Sequence, residues 1–312
     1  MVVSEPFAPD GATALVGVLG DPVRHSLSPV MHNAALRQLG LNWVYLALPV
    51  PASELATVLR ALEAIGCRGL NVTIPHKQAV ASLVRELRPL AQRIGAVNTL
   101  VPHADGGWIG TNTDAEGFLA PLQQAGESWN GRRAVVLGCG GSARAVVAGL
   151  VELGLETITV AARRPASLAA FHAQCQGFAP QLQAFHWNGD GPEADADLGA
   201  LLAAADLVVN TTPVGMASAQ DPAAAARSPL SAEALDALRP GTVVYDLIYT
   251  PRPTRLLQLA EERGCRIQDG LEMLVQQGAA ALRLWSGQQE LPVAAMRAAA
   301  LERLAAMRAA AA

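Results

Sequence analysis

Lysine is nearly absent from this sequence, since Lys77 is the only lysine among 23 basic residues. Aromatic residues are scarce as well, at 4%, and the formal net charge is −4. A nucleic-acid-binding surface needs a basic patch, and the sequence shows none, so we expect no nucleic-acid partner. The scarcity of lysine also raises the question of why position 77 has kept one.

Several other signals are missing. No stretch of about 18 uninterrupted apolar residues occurs, which argues against a membrane-spanning helix. The four cysteines include no CxxC pair and the six histidines no HExxH, so we predict neither a disulfide framework nor a metal site. The opening residues carry acids and prolines in place of a basic segment, unlike a secretory signal. These absences predict a soluble, cytoplasmic protein.

The length and the hydrophobic pattern predict two domains of the α/β class. At roughly 100–200 residues per domain, 312 residues favour two domains. β-rich runs alternate with helical stretches, which is typical of a mainly parallel sheet. We predict strands at 13–20, 43–50, 69–74, 157–162, 205–215 and 241–249, helices at 28–40, 54–66, 79–95 and 115–126, a hairpin at 96–114, a surface loop at 218–230 and alanine-rich helices from about 271.

The segment VVLGCGGSARAVV predicts a dinucleotide-binding turn. Gly138, Gly140 and Ala143 have GxGxxA spacing and lie between an apolar strand and an apolar helix, the context that this motif requires. The first glycine permits the tight turn, the second lets backbone N–H groups approach a pyrophosphate, and the alanine allows close helix–strand packing. A plain glycine turn is the alternative.

The end of the next predicted strand indicates which dinucleotide is bound. NAD enzymes usually place an acidic residue about 20 residues after the glycines, where it binds the ribose 2′-hydroxyl. The chain has Ala162, Arg163 and Arg164 there and no acid. Because a guanidinium suits a phosphate, this pattern predicts NADP. A solvated arginine pair is the alternative.

Lys77 ends the segment NVTIPHK and comes shortly after the end of the strand predicted at 69–74. In open α/β sheets, binding sites gather at the carboxyl ends of the strands. Lysine can lose its proton in suitable surroundings whereas arginine stays charged, so a role in proton transfer would preserve a lysine. Asp114 is the candidate carboxylate partner, although an aspartate there would also suit the N-cap of the next helix. A lysine kept by chance is the alternative.

Eight short motifs are spread from about residue 15 to 290. They are SLSP at 26–29, NVTIPHK at 71–77, GAVNTL at 95–100, NTD at 112–114, GCGGSAR at 138–144, NTTPVGM at 210–216, YDLIY at 245–249 and DGLEMLVQQ at 269–277. In this order they resemble the motif set of the shikimate dehydrogenase family. Eight ordered motifs are far more specific than any one of them.

The resemblance implies an enzyme that reversibly reduces 3-dehydroshikimate with NADPH in aromatic amino acid biosynthesis. It implies a substrate-binding and catalytic domain at 1–118, completed by helices at 271–312, and a Rossmann-type NADP-binding domain at 119–270. Lys77 and Asp114 are the implied catalytic pair. The other implied substrate-binding residues are Ser26, Ser28, Thr73, Asn98, Tyr249 and Gln277. The implied cofactor-binding residues are Gly138, Cys139, Gly140, Gly141, Ser142, Ala162, Arg163, Arg164, Leu247, Gly270 and Met273.

The chain departs from the family pattern at two places. The usual Asn-Arg-Thr after the second Rossmann strand is Ala162-Arg163-Arg164 here, which keeps the arginine, and His76 stands where many members have phenylalanine. Three alternatives stay open: a quinate/shikimate dehydrogenase of broader substrate or NAD specificity, a non-catalytic nucleotide-binding regulator, and an oxidoreductase of related plan such as a methylene-tetrahydrofolate dehydrogenase. The sequence is compatible with a homodimer but does not determine the oligomeric state.

Overall fold

The computed structural model describes residues 8–187, 192–217 and 221–311. These residues form two six-stranded sheets with their flanking helices. Each sheet belongs to its own compact unit. The first unit comprises Met1–Thr113 and Leu274–Ala312, and the second comprises Asp114–Met273. The domain boundaries predicted from the sequence, at 118 and 270, stay a prediction.

The sheet of the first unit is mixed, with the strand order β2-β1-β3-β5-β6-β4. Three strand pairs are parallel, whereas β5 pairs antiparallel with both β3 and β6, so the predicted hairpin forms. The strands are β1 Ala14–Gly20, β2 Trp43–Pro49, β3 Gly69–Val72, β4 Glu86–Leu87, β5 Thr99–Pro102 and β6 Trp108–Thr111. The helices up to this point are α1 Ser28–Gln38, α2 Leu55–Ala64 and α3 Pro89–Ile94.

The predicted helix over 79–95 is wrong. A 3₁₀ turn at Ala79–Ser82 is followed by β4, which pairs with β6, and then by the short helix α3. Pro89 begins α3, and Arg88 before it is extended, with φ −68° and ψ 152°. A proline lacks the N–H that a helix interior needs and biases its preceding residue toward extended backbone, so one continuous helix cannot form.

The sheet of the second unit is parallel throughout, with the order β12-β11-β10-β7-β8-β9. This is the doubly wound order of a Rossmann sheet, in which the order of the strands reverses between β7 and β10. The strands are β7 Arg133–Leu137, β8 Thr157–Ala162, β9 Leu182–His186, β10 Leu207–Asn210, β11 Val243–Asp246 and β12 Arg266–Gln268. The helices are α4 Asp114–Gln124, α5 Gly141–Glu152, α6 Pro165–Cys175, α7 Pro192–Ala204, α8 Ala232–Asp236 and α9 Arg255–Glu261.

Two long helices close the chain, α10 Leu271–Ser286 and α11 Val293–Ala311, as the alanine-rich pattern predicts. Of the predicted loop at 218–230, the first three residues lie outside the described residues, and Pro222–Ala226 forms a 3₁₀ helix. Within the described part of the chain, every helix is too short or too polar to cross a membrane.

Apolar side chains cover both faces of the second sheet. One cluster includes Val136, Val160 and Phe171, and the other includes Leu137, Leu202 and Val244. Burial on both faces explains why these strands are continuous apolar runs in the sequence. The crossover helices therefore pack on both sides, which leaves the carboxyl ends of the strands to carry polar loops.

We expect Gly69→Ala to destabilise the protein by about 1–3 kcal/mol, because a Cβ at this position would overlap the indole ring of Trp285. That indole is held in place by its N–H, which donates to the Leu100 carbonyl at 3.0 Å. Urea unfolding measures the change. Gly177→Ala is the control, since a Cβ there meets nothing within 4 Å, and an equal loss in both variants would contradict the prediction.

Candidate active site

The glycine turn lies where the second sheet reverses its strand order. Gly138 follows β7 with φ +100°, a left-handed conformation that favours glycine, and its N–H donates to the Ala161 carbonyl at 2.8 Å. A Cβ there would lie 2.8 Å from the hydroxyl oxygen of Thr211. That hydroxyl donates to the Leu137 carbonyl at 2.8 Å, so the loop after β10 packs against the turn. Gly138 is therefore required by both conformation and space.

Gly140 and the start of α5 form a cradle of the kind that binds phosphate. A Cβ on Gly140 would meet nothing within 4 Å, so this side of the turn faces open space. Gly140 is the N-cap of α5 and makes no side-chain cap, which leaves the N–H groups of the first turn, at Gly141 and Ser142, for a ligand. Ala143 is fully buried, as the predicted close packing requires. The residues present fit a pyrophosphate.

Positive charge surrounds this turn. Burial raises the pKa of the Cys139 thiol, and the charges of Arg164 and Arg144 oppose that rise, so both guanidiniums act on the turn. Arg163 follows the last residue of β8 and is exposed, and Arg164 is the N-cap of α6. Ala162 is buried, and its side chain packs in an apolar cluster of the second unit. Arg163 is exposed at this strand end, and its contact with a 2′-phosphate stays a prediction.

The carboxyl end of β11 is built around the buried carboxylate of Asp246. It accepts hydrogen bonds from the Thr254 hydroxyl at 2.7 Å, the Asn210 amide at 3.0 Å and the Ile248 N–H at 3.1 Å. Burial raises the pKa of Asp246 to about 6, and these hydrogen bonds oppose the rise. Asp246 thereby joins the ends of β10 and β11 and holds the loop that carries Leu247.

The predicted site residues that follow β11 make either close backbone contacts or contacts with an apolar cluster. Gly270 donates to the Ile248 carbonyl at 3.1 Å, and a Cβ on it would overlap the Leu247 carbonyl, so close backbone packing alone explains this glycine. Met273 is buried in the apolar cluster against which Leu247 also packs. Tyr249 is half-buried, and burial raises the pKa of its phenol to about 12. The close contact between Leu247 and Gly270 could not be predicted from the sequence.

Ser26, Ser28 and Thr73 lie at the carboxyl ends of two neighbouring strands of the first unit. The N–H of Ser28 donates to the Ser26 hydroxyl at 3.1 Å, and the Thr73 N–H donates to the Leu19 carbonyl at 2.8 Å. Ser28 is the first residue of α1 and not its N-cap, which is Leu27. Since the side chain of Ser28 is not used for capping, it is available for another role.

Asn98 is a buried polar side chain with several hydrogen-bond partners in the first unit. Its Oδ1 accepts from the Thr113 N–H at 2.7 Å and from the Thr99 hydroxyl at 2.9 Å, and its Nδ2 donates to the Gln277 Oε1 at 3.4 Å. Just before it, the Val97 N–H donates to the Lys77 carbonyl at 2.8 Å. One short segment therefore holds the backbone of Lys77, the side chain of Gln277 and the residue that precedes Asp114.

His76, the departure next to Lys77, is buried, and its Nε2 faces the Val50 carbonyl at 2.7 Å. A carbonyl only accepts, so this nitrogen carries the proton and donates it. The imidazole therefore anchors the segment NVTIPHK to the end of β2. A phenylalanine at this position could not make that hydrogen bond.

Sequence reasoning missed several buried polar residues of the first unit. Asn71 and Thr113 lie inside the motifs NVTIPHK and NTD, so their position in a motif was the available signal. Tyr45 lies in an ordinary apolar strand, and nothing in its surroundings marks it as part of a site.

The comparisons with known proteins agree on one family. The chain matches the model of the shikimate dehydrogenase substrate binding domain over residues 18–100 and that of the shikimate 5'-dehydrogenase C-terminal domain over residues 270–301. A shikimate dehydrogenase (NADP(+)) of Nostoc sp. (strain PCC 7120) is 49% identical over 297 residues, covering 94% of this chain and 98% of the relative.

Two solved structures extend the comparison. The shikimate 5-dehydrogenase of Thermus thermophilus, in complex with NADP(H) and shikimate, is 39% identical with a TM-score of 0.77, covering 93% of this chain and 99% of that one. The quinate dehydrogenase of Corynebacterium glutamicum, in complex with NAD, is 31% identical with a TM-score of 0.81, covering 93% and 99%. These likenesses confirm the predicted fold class.

We expect Asp246 to make stability depend on pH. Its pKa in the folded protein, about 6, lies above the ordinary value of 3.8, so the folded state holds this proton more tightly than the unfolded state. The resulting stabilisation is complete below about pH 4 and is lost as the pH rises through 6, which costs on the order of 3 kcal/mol. Urea unfolding of wild type and Asp246→Asn from pH 4 to 7 measures it, and parallel profiles would contradict the assignment.

Proposed function

The chain belongs to the shikimate dehydrogenase family, and we propose that Lys77 and Asp114 carry out proton transfer in its reaction. The protein is an NADP-dependent oxidoreductase of aromatic amino acid biosynthesis. It reversibly reduces 3-dehydroshikimate to shikimate. When bound, NADPH supplies the hydride, and the chain supplies binding, orientation and the proton.

One observation carries the assignment of the catalytic pair. The Lys77 carbonyl accepts from the Val97 N–H at 2.8 Å, and the next side chain, Asn98, accepts from the Thr113 N–H at 2.7 Å. Asp114 follows Thr113 directly and is buried. The backbones of Lys77 and Thr113 are therefore hydrogen-bonded to two consecutive residues, Val97 and Asn98. This proximity supports a pair made of Lys77 and Asp114.

Lys77 is the proton carrier in this proposal. Its Nζ gives a proton to the carbonyl oxygen of 3-dehydroshikimate as that oxygen becomes a hydroxyl, and it takes the proton back from shikimate in the reverse direction. The Asp114 carboxylate orients the ammonium and accepts a hydrogen bond from a ring hydroxyl of the substrate. Arginine could not replace the lysine, since it keeps its proton at any relevant pH.

The remaining residues bind the substrate and the cofactor. Ser26 and Ser28 donate to the substrate carboxylate. Its ring hydroxyls hydrogen-bond to Thr73, Asn98, Gln277 and Tyr249. Gly138 to Ser142 hold the pyrophosphate, and Arg163 meets the 2′-phosphate. Leu247, Gly270 and Met273 line the nicotinamide pocket. What supports these roles is the family to which the chain belongs and the contacts described above for Asn98, Gln277 and the glycine turn.

The alternatives are less well supported. A quinate enzyme that uses NAD would be expected to carry an acid after β8, and the chain has Arg163 and Arg164 there. A regulator without catalysis would have no need to keep both Lys77 and Asp114. We also propose a cytoplasmic location, which the water-soluble substrates support, and a homodimer.

Replacing Lys77 tests the proton carrier. We expect Lys77→Ala and Lys77→Arg each to lower kcat about 10²–10⁴-fold, with KM for shikimate within about threefold of wild type, because general acid–base catalysis contributes that much to the rate. Steady-state kinetics with shikimate and NADP⁺ measures both constants. Lys77→Arg is the matched variant that keeps the charge, and a wild-type kcat in this variant would refute the role.

Replacing Arg163 tests the cofactor preference. We expect Arg163→Ala to raise KM for NADP⁺ about 10- to 100-fold, because a charge-assisted bond to the 2′-phosphate is lost. The KM for NAD⁺, which lacks that phosphate, should stay the same in the same variant and so serves as the internal control. Equal changes for both cofactors would show that Arg163 does not recognise the phosphate.

A further inference from the structure

Three buried side chains of the first unit have no role in the reaction described so far. Tyr45 and His32 are fully buried, and Asn71 is 5% exposed. Each of them contacts a residue that we propose to bind substrate or its direct neighbour. Buried polar groups of this kind are costly unless their hydrogen bonds are satisfied, so a connected set of them is a specific arrangement.

Tyr45 is the centre of this set. Its hydroxyl donates to the Asn71 Oδ1 at 2.8 Å, and the side chain of Ser28 acts on the same phenol, where it opposes the burial that raises the pKa of Tyr45. Asn71 in turn donates from Nδ2 to the Asn98 carbonyl at 3.3 Å and to the Thr99 hydroxyl at 3.2 Å. One phenol oxygen therefore joins Ser28 to the segment that contains Asn98.

His32 holds the ring of Tyr45 in place. The two rings are stacked, with centroids 4.1 Å apart and planes 11° apart. The Nδ1 of His32 lies 2.9 Å from the Ser28 carbonyl, and its Nε2 lies 3.3 Å from the Gly278 carbonyl, next to Gln277. Burial lowers the pKa of His32 to about 4, so the imidazole is neutral at physiological pH. The stack fixes the direction in which the phenol points.

We propose that Tyr45 is a positioning residue for the substrate: its phenol oxygen sets the side chain of Ser28 and, through Asn71, the segment of Asn98. The inference rests on the proposed function, in which Ser28 meets the carboxylate and Asn98 a ring hydroxyl. A hydroxyl has one proton and can rotate, so when Ser28 donates to the substrate the Tyr45 hydroxyl can turn from Asn71 to donate to Ser28. Tyr45 itself does not touch the substrate.

Tyr45→Phe tests this role, because it removes one oxygen and keeps the stacked ring. The matched control is Tyr245→Phe in the second unit. Tyr245 is also fully buried, and its hydroxyl has no hydrogen-bond partner among the residues that the structure describes. The two variants therefore make the same chemical change, with and without loss of a hydrogen-bonded contact.

We expect Tyr45→Phe to raise KM for shikimate about tenfold, with kcat within about twofold and KM for NADP⁺ unchanged, because the variant loses about one hydrogen bond's worth of positioning. Tyr245→Phe should change none of these constants. Combining Tyr45→Phe with Ser28→Ala should raise KM less than the product of the single effects, since both changes act on one contact.

A purely structural role would lower the active fraction, and so kcat, without a selective change in KM for shikimate. An unchanged KM in a folded Tyr45→Phe, or equal changes in both Michaelis constants, overturns the inference. If Tyr45→Phe fails to fold, Asn71→Ser decides, and it must show the same selective rise. Wild type is assayed first: absence of turnover with shikimate and NADP⁺ refutes the proposed function, whereas an active wild type with an unaffected Tyr45→Phe refutes this inference alone.

Discussion

The hydrogen bonds of Asn98 are the constraint on which the first unit depends. The side chain is 2% exposed, and it accepts from the Thr113 N–H and the Thr99 hydroxyl while it donates toward Gln277. Its own backbone joins two strands, because its N–H donates to the Thr111 carbonyl at 3.1 Å and its carbonyl accepts from the Val72 N–H at 2.7 Å. A buried amide satisfied in this way can adopt one orientation only, and the groups around it are positioned accordingly.

In the second unit, the main constraint is the close backbone packing at the glycine turn. The strand order reverses between β7 and β10, and the glycine turn and the loop at Thr211 meet there. Gly138 is required by its positive φ and by the approach of Thr211, whereas Gly140 borders open space. Arg164 and Arg144 add positive charge to the turn. The buried Asp246 holds the neighbouring strand ends together from within the protein.

Much of this could be predicted from the sequence where the signal is local. The strand at 157–162 coincides with β8, and the hairpin forms where Gly106 and Gly107 adopt positive φ. The helix over 79–95 failed because Pro89 outweighs the helical pattern around it, and β4 exists only through its pairing with β6. Tyr45 could not be predicted, because its partners Ser28 and Asn71 are distant in sequence and meet only in the folded sheet.

The most direct test of the account is an absorbance assay at 340 nm with purified protein. Shikimate or quinate is mixed with NADP⁺ or NAD⁺, which makes four combinations. The account predicts reduction with shikimate and NADP⁺, and much slower or no reduction in the other three. Comparable rates with quinate would contradict the specificity for shikimate, comparable rates with NAD⁺ would contradict the role of Arg163, and no reduction in any mixture would contradict the catalytic role of Lys77.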